Sequence, residues 1–251
     1  MGKAVVFANQ KGGVGKTTTA VNLGAYLAEA GKRVLLIDFD PQANTSSSVG
    51  ADTQKAGIYE LLTGRSTHDA AIQETSVPGL FIVPSSIHLT GATVEFIDAE
   101  RREFLLRRIV EALRPRFDYL FIDCPPSLGL LTLNGLVAAD SVIIPLQCEY
   151  FAMEGLSKLL QTVKRVQERL NPDLNIAGIL FTMYDTRTRL AHEVVEEVTG
   201  YFKDKVFRTI IPRNVRLSEA PSYGKPIGQY DPECIGAVSY KRLAQEVLRR
   251  V

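Results

Sequence analysis

Ten residues constrain this chain more than any others: Asn9-Gln-Lys-Gly-Gly-Val-Gly-Lys-Thr-Thr18, set between a short apolar run at 4–8 and a helix-patterned stretch that begins at Lys16. A strand, a glycine-rich turn and a helix N-terminus, in that order, make an anion site. Gly12, Gly13 and Gly15 let the backbone N–H groups approach phosphate oxygens, while the helix aims the positive end of its dipole at the same atoms. In such a loop Lys16 reaches the β- and γ-phosphates and the Thr17 hydroxyl ligates Mg²⁺. The candidate cradle runs from Lys11 through Val14 to Thr18. A strict phosphate loop has glycine where this chain has Gln10, so the match is to a variant, and the variant carries a second lysine, Lys11, at its start.

Apolar, β-rich runs recur at 4–8, 34–37, 80–83, 119–122, 141–145, 176–181 and 206–211, mostly separated by stretches long enough for a helix. Near-continuous apolar strands alternating with helices predict an α/β fold, a mostly parallel twisted sheet with helices on both faces. No Pro/Gly/Ser linker or charge block divides the 251 residues, so residues 1–251 read as a single P-loop domain.

The formal net charge of +1 supplies no global attraction to nucleic acid or anionic lipid, so any such binding must come from a local patch. The three cysteines, Cys124, Cys148 and Cys234, are isolated, which argues against a structural zinc site and a disulfide framework and for a reduced, cytoplasmic setting. No secretory signal and no run of membrane-spanning length is expected, and Val6 stands where N-myristoylation needs Ser or Thr.

Two runs end in acids. The 34–37 strand leads into Asp38-Phe-Asp-Pro-Gln, placing Asp38 and Asp40 at the carboxyl end of a parallel sheet, the edge where such sheets bind ligands. The 119–122 strand ends in Asp123-Cys-Pro-Pro, the Walker B arrangement in which a carboxylate holds Mg²⁺ directly or through its water. Alternation puts Asp38 and Asp40 on one side of the strand with Asp40 further out, so Asp40 is expected to orient the attacking water and Asp38 to serve the metal's outer shell.

Read together, Lys11, Lys16, Asp38, Asp40 and Asp123 resemble the deviant Walker A ATPases, and within them the ParA/Soj partition ATPases. The resemblance covers essentially the whole chain, through Asp38-Phe-Asp-Pro-Gln-Ala-Asn, Asp123-Cys-Pro-Pro-Ser-Leu-Gly, Gln147-Cys-Glu-Tyr-Phe-Ala-Met-Glu-Gly and Ile211-Pro-Arg-Asn-Val-Arg-Leu-Ser-Glu-Ala-Pro. It implies an ATP- and Mg²⁺-dependent homodimer with nucleotide between the subunits, Lys11 crossing to the partner's phosphates, and Pro212 and Asn214 against the adenine. It also implies a ParB-type partner that stimulates a slow hydrolysis, and non-specific binding of double-stranded DNA through Arg187 and Arg216 by a cytoplasmic, nucleoid-associated protein. Contacts of that kind need charge and reach but no base readout, so binding should be sensitive to salt. Some members carry an added helix-turn-helix region. This chain starts directly at its first strand, so sequence-specific DNA binding is not expected.

Two rivals share the loop. A MinD-like membrane switch needs a lipid-binding amphipathic tail, and Tyr240, Leu243, Ala244, Val247, Leu248 and Val251 do recur at helix spacing; such a face more often packs on its own sheet, and no membrane partner is expected. A metabolic enzyme would phosphorylate a substrate, and an iron–sulfur carrier needs paired cysteines that the sequence lacks. The basic run around Arg101, Arg102, Arg107 and Arg108 is interleaved with Glu100, Glu103 and Glu111 and reads as the mixed-charge face of an amphipathic helix.

Overall fold

In the computed structural model, which describes residues 2–250, the apolar runs become β1 (Lys3–Phe7), β2 (Val34–Asp38), β4 (Leu80–Val83), β5 (Tyr119–Asp123), β6 (Ser141–Gln147) and β7 (Asn175–Thr182). A two-residue strand, β3 (Gln73–Glu74), adds an antiparallel edge; it is too short to show any periodicity in sequence. The sheet order is β3-β4-β2-β5-β1-β6-β7, with the other neighbours parallel. The fold is therefore the expected α/β architecture, a mostly parallel sheet covered on both faces.

The helices are α1 (Lys16–Glu29), α2 (Asn44–Ser48), α3 (Ile58–Leu62), α4 (His68–Ala71), α5 (Leu89–Glu95), α6 (Leu105–Leu113), α7 (Leu130–Ala138), α8 (Ala152–Arg169), α9 (Arg189–Phe202), α10 (Val215–Glu219), α11 (Ile227–Tyr230) and α12 (Ile235–Arg250). Strand alternation sorts the core into two layers. Ala4, Val6, Leu35, Ile37, Leu120 and Ile122 face α6 to α9, while Val5, Phe7, Val34, Leu36 and Phe121 face α1 and α12. Burial on both sides is why these strands are apolar at nearly every position. Tyr240, Leu243, Ala244 and Val247 of α12 belong to the second layer, so four of the six residues expected on its amphipathic face are spent on the sheet; Leu248 is exposed, and Val251 lies outside the described residues. Among the described residues no helix is long and apolar enough to cross a membrane.

The run at 206–211 departs from expectation. It lies beside β7, where the Phe207 N–H donates to the Ile179 carbonyl at 2.9 Å and the Ile211 N–H to that of Phe181 at 2.9 Å. Only isolated bridges form, Ile179 with Val206 and Tyr184 with Pro212, and no strand is built. The cause lies in α12. The Glu246 carboxylate accepts from the backbone N–H groups of Arg208 (2.8 Å) and Thr209 (3.0 Å) and from the Thr209 hydroxyl (2.8 Å), so the middle of the run turns to a side chain rather than to a ladder.

Candidate nucleotide site

At the carboxyl edge of β1 the chain leaves the sheet at Phe7 and re-enters regular structure at Lys16. Gly13 and Gly15 have φ of 72° and 86°, left-handed conformations that side chains rarely adopt, and Gly15 is the N-cap of α1. The Thr182 hydroxyl at the end of β7 donates to the Val14 carbonyl at 2.8 Å, and Thr19 Oγ1 donates to the Gly15 carbonyl at 2.6 Å and meets Tyr240 Oη of α12 at 3.2 Å. The loop is thus pinned from both sides before any ligand is considered.

Lys16 is buried and donates to the Lys11 carbonyl at 3.3 Å. Burial lowers its pKa, against the opposing pull of Asp123, Cys124 and Asp40. Lys11 is half-exposed and ion-paired with Glu149, whose other carboxylate oxygen accepts from the Gln147 amide. Gly12, Gly13, Lys16, Thr17 and Thr18 line a cavity of about 450 Å³ together with Asp40. A neighbouring cavity of about 200 Å³ shares Gly15, Thr18, Met183 and Pro221 with it and is lined further by Pro212 and Asn214. The Asn214 carbonyl oxygen there is buried without a partner.

The three acids separate. Asp38 and Asp123 face each other in register on β2 and β5, both wholly buried. Asp123 Oδ2 accepts from the hydroxyls of Thr17 (2.6 Å) and Thr45 (2.7 Å), while its Oδ1 is buried with no partner. Burial pushes its pKa up to about 6, opposed by the two hydroxyls and by Lys16. Asp38 accepts from the Ser46 N–H (2.8 Å), the Ser46 hydroxyl (2.6 Å) and the Asp40 N–H (3.3 Å); burial first, then the charge of Asp123, push it up to about 7. The expected alternation therefore fails at this point. The strand ends at Asp38, the turn held by the Asp40 N–H bends the chain, and Asp40 alone of the two lines the cavity, with Oδ1 accepting from the Gln42 N–H at 3.0 Å. Asp38 anchors the following segment.

Thr17 and Asp123 form a hard-oxygen set in which one carboxylate oxygen lacks a partner, which fits Mg²⁺, an ion usually held by one or two protein oxygens together with phosphates and water. Among the described residues no group of three His, Cys, Asp or Glu gathers. The residues that sequence reasoning missed, Thr45, Ser46 and Glu149, are all partners of residues it named. Thr45 and Ser46 follow immediately after the Asp38 string, and Glu149 lies inside the Gln147 string.

Arg187 and Arg216 lie on segments tied together beside this site, since Tyr184 bridges Pro212 and the Arg213 N–H donates to the Tyr184 carbonyl at 3.0 Å. Arg187 grips Asp185 through Nε (2.9 Å) and Nη2 (2.6 Å), holding that carboxyl well below the usual range. Arg216 pairs with Glu219 (2.9 Å) and Asp231 (3.3 Å).

Comparison with known proteins fits this geometry. Residues 2–176 match the family model described as an AAA domain. A chromosome-partitioning ATPase Soj from Treponema pallidum is 61% identical over 250 residues, covering 100% of this chain and 98% of its own. The sporulation initiation inhibitor protein Soj of Bacillus subtilis is 56% identical, covering 98% of both. Among solved structures, a cobyrinic acid a,c-diamide synthase from Mycobacterium smegmatis with bound ATP analog and magnesium superposes with a TM-score of 0.88 at 40% identity, covering 99% of this chain and 95% of that one. Sequence likeness over the full length and the loop, acids and sheet described above lead to one assignment: the chain belongs to the Soj/ParA family of chromosome-partitioning ATPases.

Proposed function

We propose that this protein is an ATP-driven switch: ATP and Mg²⁺ close a homodimer, the dimer binds double-stranded DNA without sequence preference, and hydrolysis releases it, in service of DNA segregation with a ParB-type partner. The whole chain acts as one P-loop unit. The observation that carries the nucleotide half is the pair of adjoining cavities, one lined by Thr17, whose hydroxyl donates to the buried Asp123 carboxylate with its unpartnered Oδ1, and the other lined by Asn214 with its unpartnered Oδ1. Asn offers an acceptor and a donor, which suits a purine edge.

Each residue has a task. The loop from Lys11 to Thr18 holds phosphates through backbone N–H groups and Lys16, whose burial strengthens its hold on an anion. Thr17 and Asp123 hold Mg²⁺, which supplies charge neutralisation across the phosphates. Asp40, on the cavity wall, orients the attacking water. Lys11 leaves Glu149 to reach the partner subunit's phosphates. Hydrolysis by the isolated protein is slow because none of the described residues lining the Asp40 cavity is an arginine, and a partner-supplied cation accelerates it. Arg187 and Arg216 meet DNA phosphates, a cytoplasmic, nucleoid-bound role that a net charge of +1 leaves to a local patch.

The name of the Mycobacterium smegmatis structure favours a second reading, a metabolic synthase. The higher identity to the Soj proteins, 61% against 40%, favours the partition reading. Lipid attachment through α12 is disfavoured because Tyr240, Leu243, Ala244 and Val247 of its apolar face are already in the core.

Binding of the Asp40→Ala protein to long DNA of arbitrary sequence, with ATP or ADP over a salt series, tests the proposal. Tight, salt-sensitive binding with ATP alone is expected. Absence of binding in both states returns the weight to the metabolic reading.

A further inference from the structure

The segment that joins the nucleotide cavity to the Arg216 region has unusual chemistry. Thr45, buried in α2, donates to the same Asp123 oxygen that receives the Thr17 hydroxyl, and the next residue, Ser46, is fixed twice to Asp38. Ser46 Oγ also accepts from the Ser85 N–H at 3.0 Å. The residue before α2, Ala43, sits at φ 54°, a left-handed conformation that a non-glycine residue tolerates only when its surroundings hold it there. Ala43 donates its N–H to the Asp40 carbonyl at 2.9 Å, and its carbonyl accepts from the Ser47 N–H at 3.0 Å and the Ser47 hydroxyl at 3.0 Å. One short helix is therefore clamped to the two acids at the sheet edge, and one of those acids is the candidate metal ligand.

The far end of α2 is clamped to something else. Gly50 and Gly224 both have positive φ, 69° and 61°, and they meet: a Cβ on Gly224 would stand 3.1 Å from the Gly50 Cα and 3.6 Å from the Ser47 carbonyl oxygen. Gly224 closes the 3-10 turn Ala220–Tyr223, which follows directly on α10, the helix carrying Arg216 and its partner Glu219. Pro221 of that turn lines both cavities. A contiguous set of packed and hydrogen-bonded parts thus runs from Asp123 through Thr45, α2 and the two glycines to Arg216.

We propose that Thr45 is a positioning residue whose hydroxyl, through α2 and the Gly50–Gly224 contact, couples occupancy of the phosphate cavity to the placement of Arg216. Mg²⁺ and phosphates at Thr17 and Asp123 change what the shared carboxylate oxygen can accept, and α2 is the element that registers the difference. The two glycines transmit it because nothing bulkier than hydrogen separates the two backbones. This inference rests on the proposed DNA role of Arg216 for its biological meaning, but the mechanical link stands apart from it.

The test is a coupling factor, the ratio of DNA affinities with ATP and with ADP, measured for wild type, Thr45→Val and Thr45→Ser. Coupled sites typically show ratios of about 5 to 150. Thr45→Val, isosteric but without the hydroxyl, should bind Mg-ATP within several-fold of wild type yet lower the ratio several-fold, while Thr45→Ser restores it. A ratio unchanged in Thr45→Val overturns the proposal. Hydrogen exchange supplies the second arm: Mg-ADP should alter exchange of the amides at 222–225 in wild type and not in Thr45→Val, and an equal response in both proteins overturns the link. If wild type binds no DNA in either nucleotide, the DNA reading fails and the exchange experiment alone decides the link.

Discussion

Asp38 and Asp123 stand side by side on neighbouring strands, yet only one has a carboxylate oxygen left over. Asp38 spends its oxygens on Ser46 and Asp40, so its raised pKa is a stability statement as much as a functional one. The folded state holds this proton more tightly than the unfolded chain does. Its stabilising contribution is therefore fully present below the unfolded pKa of about 3.9 and is lost as pH rises through about 7. Urea denaturation of the nucleotide-free protein between pH 4 and pH 8 should show wild type losing stability relative to Asp38→Asn, by about 2–4 kcal/mol across that window. A constant difference between the two proteins would contradict the assignment of burial as the cause. Of the individual residues, the sequence made the loop legible because glycine spacing reports backbone conformation directly. Thr45 was not legible, since a threonine after a turn carries no spacing rule, and its importance depends on a carboxylate 78 positions away. The different settings of Asp38 and Asp40 were hidden for a similar reason: alternation holds only while the strand does, and the strand stops at Asp38.

Among the elements, α7 shows how tightly the acid-bearing strand is backed. A Cβ on Gly135 of this helix would stand 2.5 Å from the sulfur of Cys124 and 3.1 Å from a Val6 methyl. Gly135→Ala should accordingly destabilise the protein by about 1–3 kcal/mol through overpacking, partly offset by the better helix propensity of alanine, about 1 kcal/mol. Chemical denaturation checks the first effect. Calorimetric titration with Mg-ATP should also show weaker binding, because Cys124 moves with its neighbour Asp123. Elements buried on both faces were legible from their apolar runs, with ends matching to within a residue or two. The exception at 206–211 is apolar enough for a strand, but its ladder groups are claimed by Glu246 of a helix that follows much later, a competition no local pattern reveals. The two residues of β3 had no pattern to read.

At the scale of the whole molecule, the nucleotide site and the arginines proposed to meet DNA lie on neighbouring segments, and a test must separate them. Arg187→Glu or Arg216→Glu should weaken DNA binding while ATP-dependent dimerisation, followed by sedimentation, stays intact. Removing one phosphate contact should also lower the slope of log affinity against log salt by about 1. Loss of the dimer in either variant would mean that these arginines serve the fold or the nucleotide rather than DNA. The C-terminal helix has a consequence for how the protein comes into being. Because α12 lies on α1 and Tyr240 reaches Thr19 in the first turn after the phosphate loop, the helix that must receive nucleotide has an unfinished apolar side until residues near 247 have been synthesised. A growing chain carries the complete loop sequence long before α12 is made, yet cannot close a rigid ATP site. Competence is acquired only once α12 has been made, so truncated products lacking it should be removed as misfolded chains rather than compete with intact protein for nucleotide.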